Sequence, residues 1–243
     1  MNCGIGERGV AMSVVARRKL SRIHGAVSKG AQAYEQIKQA ILHAQFRPGE
    51  VLSIRTLAAS FGISTMPVRE AVTRLITEKA LELLPNRGLR VPNLSDEEAR
   101  DVLRARFVLE GLAVELAAAR ITSAEIAGLE ECERESEAAL KRGQTHKGVK
   151  ASLQFHLMLY RACGSQTLVD LIEALYLRYA PKVYTNMLLL PAGGGARARF
   201  VHDHHSVIIA ALRRRDKKAA RRALEKDMKD TWKFERFETA GLF

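Results

Sequence analysis

Residues 62–71 read "GISTMPVREA", and the fold turns on them. Gly62 and Ser64 punctuate a turn and then a helix start. Behind them Val68, Ala71, Val72, Leu75 and Ile76 recur at offsets 0, 3, 4, 7 and 8, one apolar stripe of α-helical period. Thr65, Met66, Arg69, Thr73 and Arg74 fall outside that stripe. Upstream, "SIRTLAASF" (53–61) turns Ile54, Leu57, Ala58 and Phe61 to one side, and "AYEQIKQAILHA" (33–44) does so with Tyr34, Ile37, Ile41 and Ala44. Two short helices joined by a glycine-containing turn form a helix-turn-helix, whose second helix presents its first residues to base edges in the major groove. Arg69 stands within two turns of that start, and arginine can bond the O6 and N7 acceptors of guanine together.

Downstream, "LELLPNRGLRVPN" (81–93) reads as strand, turn, strand, with Pro85-Asn86-Arg87-Gly88 supplying the turn. It would form a wing with Arg87 and Gly88 at its tip. The whole segment "FRPGEVLSIRTLAASFGISTMPVREAVTRLITEKALELLPNRGLRVPNLS" resembles the winged helix-turn-helix of the GntR family of bacterial transcription regulators. The resemblance rests on Pro48-Gly49, Leu52, Leu57-Ala58, Gly62, Ser64, Pro67-Val68-Arg69-Glu70-Ala71 and Gly88. It implies DNA contacts from Arg55, Arg69 and Gly88, and Ser64, Thr65 and Arg87 complete the candidate set. One position departs: the family usually has a second arginine where Thr65 stands, so DNA preference should not be copied from relatives.

The totals agree with a DNA-binding chain. Net charge is +12 over 243 residues, of which +8 falls in residues 1–94. Basic domains meet polyanions because neutralised phosphates release their counterions. Three scattered cysteines (Cys3, Cys132, Cys163) without CxxC spacing argue against a disulfide framework or a zinc finger. No apolar run reaches the ~18 residues that span a bilayer. The N-terminal "GVAMSVVA" precedes its "RRKLSR", the reverse of a secretory signal. The expectation is a cytoplasmic protein with no membrane contact, a flexible basic leader over 1–30 and a DNA-binding domain over 31–92.

From 95 to 237 the pattern is helical. Ser95 with Glu98, and Thr122 with Glu125, are capping boxes that start helices. Breaks are expected at Gly143–Gly148, at Gly164, at Pro181 and in "PAGGGA" (191–196), giving six or seven helices in a bundle. The expected fold is mainly α: a winged helix-turn-helix of three helices and a β-hairpin, followed by an all-α effector domain. "RARFVLEGLAVELAA", "LQFHLMLYRACGSQTLVDLIEAL" and "HSVIIAALRRRDKKAARRALEKDM" resemble the FCD effector domain of FadR-type members of that family.

Polar residues interrupt these helices at telling places. The helix over 95–120 is apolar nearly all round and is expected to be buried, yet it carries Arg106 four residues before Glu110. On chemistry two readings stand open, an internal ion pair or a bidentate clamp for an effector carboxylate; the resemblance to the FCD domain implies the clamp, so Arg106 is the candidate effector-binding residue. His156, His205 and Asp227 each sit on an apolar stripe of a different helix. Two imidazoles and a carboxylate suit Zn²⁺, Ni²⁺, Mn²⁺ or Fe²⁺; a metal-free polar pocket or an Asp–His pair are the alternatives. Many FCD domains hold a metal with an Asp and three His. Against that pattern Ser152 replaces the usual Asp and Asp227 the last His, while His156 and His205 match. His202 and His204 are read as a surface patch. The resemblance implies a homodimer on a palindromic operator of double-stranded DNA, with a small organic acid as effector. No HExxH, GxSxG, P-loop or dinucleotide signature accompanies the cluster, so no enzyme is expected. A DNA-binding protein whose second domain only dimerises is the remaining alternative.

Overall fold

The computed structural model describes residues 28–43, 45–85, 88–189 and 194–236, with the backbone alone described over 183–189, 194–202 and 232–236. The chain divides into two compact units between Asn93 and Leu94.

The first unit contains α1 (Lys29–Leu42), β1 (Val51–Leu52), α2 (Ile54–Phe61), α3 (Thr65–Thr77), β2 (Glu82–Leu83) and β3 (Leu89–Arg90). α1 starts earlier than the apolar pattern suggests, because the Ser28 hydroxyl accepts from the Ala31 amide at 3.1 Å and caps it. Lys29 and Gly30, expected in the leader over 1–30, therefore belong to this helix, with Ser28 as its cap; residues 1–27 lie outside the described residues. Tyr34, Ile37 and Ile41 of α1 are buried, as are Val68, Ala71, Val72 and Leu75 of α3, and the two helices pack together. Gly62 ends α2 at φ 68°, a left-handed turn that costs glycine nothing. The wing strands β2 and β3 pair antiparallel, with Leu83 opposite Leu89. A third strand, β1, pairs with the other edge of β3 and was not anticipated. Two residues are too few to show a period, and only the pairing of Val51 with Arg90 and of Leu52 with Leu89 defines them.

The second unit is helical: α4 (Asp96–Arg120), α5 (Ser123–Lys141), α6 (Thr145–Arg161), α7 (Gln166–Leu189), α8 (Gly194–Arg213) and α9 (Lys217–Arg236). Both capping boxes form, at the starts of α4 and α5. α4 packs on α9, α7 and α6, and α5 packs on α6 and α8. Gly148 lies within α6 rather than in the break before it. Any side chain there would run into Leu140 of α5, and the Gly148 carbonyl accepts from Ser136 at 2.9 Å. Pro181 does not break α7, which continues through it to Leu189. Proline removes one helical hydrogen bond, a loss that tertiary packing can absorb. Only Gly194 to Ala196 of the "PAGGGA" segment are described, at the start of α8; residues 191–193 lie outside the described residues. α4 is not buried all round: Val108 and Leu112 are 62% and 44% exposed on one outward face.

Candidate functional site

Two groups of residues carry chemistry, one in each unit. In the first, Ser64 is the N-cap residue of α3, yet its side chain makes no capping bond and is exposed. Thr65, Met66, Arg69, Glu70, Thr73 and Arg74 follow it on the open side of the helix, all exposed. Two of these are committed elsewhere, and a third lies close to α1. The Glu70 carboxylate lies against α1 at Gly30, where a Cβ would stand 2.6 Å from its Oε2. The Thr73 hydroxyl donates to the Arg69 carbonyl at 2.9 Å. Arg74 donates to Glu78 at 3.0 Å and covers the Tyr34 ring at 3.7 Å. Thr65, Met66 and Arg69 are left facing outward. Arg55 is exposed in the first turn of α2. At the wing, the Gly88 carbonyl accepts from the Leu84 amide at 2.9 Å and closes the turn; Arg87 lies outside the described residues.

In the second unit α6, α8 and α9 bring His156, His205 and Asp227 together, with one possible ligand atom from each within 4.8 Å of the others. His156 Nε2 lies 3.3 Å from Asp227 Oδ2 and 3.4 Å from His205 Nε2. Ser152 Oγ is 3.5 Å from the same His205 nitrogen. The His205 ring stacks on Phe155, with centroids 3.9 Å apart and planes 7° apart.

Beneath this cluster runs a buried polar chain. Arg106 donates to Glu110 through Nε at 2.6 Å, and its guanidinium lies over Tyr176 at 3.9 Å. Tyr160 donates its hydroxyl to Glu110 at 2.5 Å and stands 3.4 Å from His156 Nδ1. With its proton given to Glu110, the Tyr160 oxygen can only accept from His156, which puts the imidazole proton on Nδ1. The lone pair of Nε2 then points at Asp227 and His205. Burial, then the charge of Arg106, hold His156 down at about 3, so the imidazole is neutral. Burial pushes the Asp227 carboxyl up to about 6, with His204 opposing and Glu110 adding to the rise. At Arg106 burial works against the charge, but Glu110, Tyr176 and Tyr160 more than offset it, so the pKa stands above the ordinary arginine value.

The donor set fits a divalent cation. A lone pair aimed at a carboxylate oxygen is relieved by a shared proton or by a cation between them, and neutral imidazole with carboxylate is a ligand set for zinc and its neighbours. The relay Glu110–Tyr160–His156 has the form of the outer hydrogen bonding by which metal sites orient a histidine. Tyr160 was not singled out in the sequence, although its place four residues after His156 on one helix could have pointed to this relay. Tyr176 gave no such signal, because its role depends on α7 lying across Arg106. His204 is not part of a surface patch: it is partly buried and pairs with Asp230 at 3.0 Å. The side chain of His202 lies outside the described residues.

The comparisons with known proteins divide at the same place as the structure. Residues 29–91 match the family "Bacterial regulatory proteins, gntR family", and residues 101–230 match the FCD domain. The HTH-type transcriptional regulator McbR of Escherichia coli K12 is 29% identical over 202 residues, covering 83% of this chain and 90% of that protein. The solved structure of E. coli McbR/YncC superposes with a TM-score of 0.81 at 26% identity, over 86% of this chain and 98% of that one. The HTH-type transcriptional repressor GlaR of E. coli K12 is 27% identical over 153 residues, covering 59% of this chain and 67% of that protein.

Proposed function

The chain belongs to the GntR family of bacterial regulatory proteins with an FCD domain, and from that we propose a ligand-responsive repressor that senses a small organic acid. It is a DNA-binding transcriptional regulator and not an enzyme. The convergence of His156, His205 and Asp227 inside the FCD unit carries the sensing half of this reading. A divalent metal held by these three residues, with Ser152 beside them, would offer open positions to the carboxylate and hydroxyl oxygens of an acid. Arg106 is not a free clamp for that acid. Its Nε and one face are taken by Glu110 and Tyr176, so it serves as a neutralised core residue rather than a bidentate grip. Repression as the mode of action is supported by the relative named a repressor.

In the DNA-binding unit, Arg55, Ser64, Thr65 and Arg69, with the wing tip at Arg87 and Gly88, are the proposed contacts. A homodimer would place two such units on a palindromic operator. The exposed apolar face of α4 supports dimerisation. An antiparallel two-fold pairing of α4 with its own copy, centred between Val108 and Leu112, buries that face. An effector acts only through its different affinities for the two dimer states. The test is to select bound fragments from random DNA with the full-length, metal-loaded protein and then challenge the complex with a panel of carboxylic acids. Release by one acid, lost in His205→Ala, supports the reading. An operator complex indifferent both to metal and to every acid favours a second domain that only dimerises.

A further inference from the structure

We propose that Met66 is a specificity residue that reads a thymine, its thioether side chain packing on the C5-methyl group in the major groove beside the base contacted by Arg69. The proposal rests on the reading of α3 as the recognition helix. Of the outward residues of α3, Thr73 and Thr77 donate to the helix backbone, Arg74 is held by Glu78, and Glu70 lies close to α1 at Gly30. That leaves Thr65, Met66 and Arg69 for the groove. Met66 and Arg69 are three apart, so they are neighbours on one helix face. Met66 is 64% exposed, the one large apolar side chain on the open side of α3 among the described residues.

Its chemistry selects the partner. A thioether donates no hydrogen bond and accepts one weakly, so it gains little from a phosphate or from the donor and acceptor edges of adenine, guanine and cytosine. Thymine alone among the four bases carries an apolar group into the major groove. Methionine is unbranched and polarisable, and adapts its shape to such a contact. Thr65 beside it carries no charge, so this end of the helix is held on DNA by fewer ionic contacts and depends more on packing.

Deoxyuridine tests this directly, since it removes the methyl group and nothing else. Sites are selected with the full-length protein, and each thymine in turn is replaced by deoxyuridine. At one thymine in each half-site the wild type should bind about four-fold more weakly, the loss of one buried methyl. Met66→Ala should bind the natural site with similarly reduced affinity and be indifferent to that replacement, while Met66→Leu keeps most of the sensitivity. Unchanged thermal melting of these variants shows that the fold is intact. If no thymine separates wild type from Met66→Ala, or if the sensitivity follows Thr65→Ser instead, the proposal is overturned. If the wild type selects no DNA sequence at all, the recognition-helix reading fails and this proposal with it.

Discussion

Replacing Glu110 with glutamine should destabilise the FCD unit severely, although the change is one atom in size. Glu110 is fully buried and Arg106 is 6% exposed, so the guanidinium relies on that carboxylate for its counter-charge. Glutamine keeps an acceptor for the Tyr160 hydroxyl but leaves Arg106 charged and uncompensated in the core. Breaking a buried pair in this way costs about 3–5 kcal/mol. For a unit of this size each kcal/mol lowers the melting temperature by about 2–4 °C, so the midpoint should fall by about 6–20 °C. The cost belongs to the orphaned charge, not to the contact. The double variant Arg106→Met, Glu110→Leu should therefore recover most of it, less about 1 kcal/mol for the Tyr160 hydroxyl that loses its acceptor. Differential scanning calorimetry of the full-length protein reads both changes. A loss below about 1 kcal/mol for Glu110→Gln, or a double variant no more stable than the single one, would refute the view that Arg106 is a neutralised core residue.

Three further outcomes follow from the same geometry. The protein should take up one divalent transition metal ion per chain, counted by mass spectrometry of the metal. Asp227→Asn and His205→Ala should abolish most of that uptake, and Tyr160→Phe should weaken it by about 10–100-fold through the lost orientation of His156; full uptake by all three variants would contradict the site. Val108→Glu with Leu112→Glu should convert the species measured by light scattering from a dimer to the 27.0 kDa monomer, and an unchanged dimer would move the interface off α4. Gly62→Ala should cost about 1–2 kcal/mol, because the left-handed φ of 68° penalises any Cβ while no atom lies within 4 Å to clash with it; chemical denaturation that shows no loss would place the turn in another conformation.

Much of this was legible in the sequence where the signal was local. The stripe on α3, the glycine turn before it and the two capping boxes are written within a few residues each, and so are the helices that they start. Breaks were less legible. Gly148 and Pro181 look like interruptions in one dimension, but packing against Leu140 makes the first a close-approach point, and α7 absorbs the second. β1 was illegible because two residues carry no period. His156, His205 and Asp227 could be singled out as polar residues on apolar stripes, but their convergence depends on how α6, α8 and α9 pack. The two readings of Arg106 could not be separated by spacing. The 2.6 Å bond to Glu110 and the Tyr176 ring over the guanidinium favour the internal pair. The exposed face of α4 ran against the expectation of burial, since a helix apolar all round can be covered by its own chain or by a second copy.

The central claim is that α3 reads DNA through Arg69. Its most direct test is equilibrium binding of wild type and Arg69→Ala to a site selected by the wild type, and to the same site with its half-site guanines replaced. Arg69→Ala should bind the selected site with about 1–3 kcal/mol less free energy, roughly 5–150-fold more weakly, and should no longer distinguish it from the replaced site. Equal affinity of the two proteins for the selected site, or undiminished discrimination by Arg69→Ala, would contradict it.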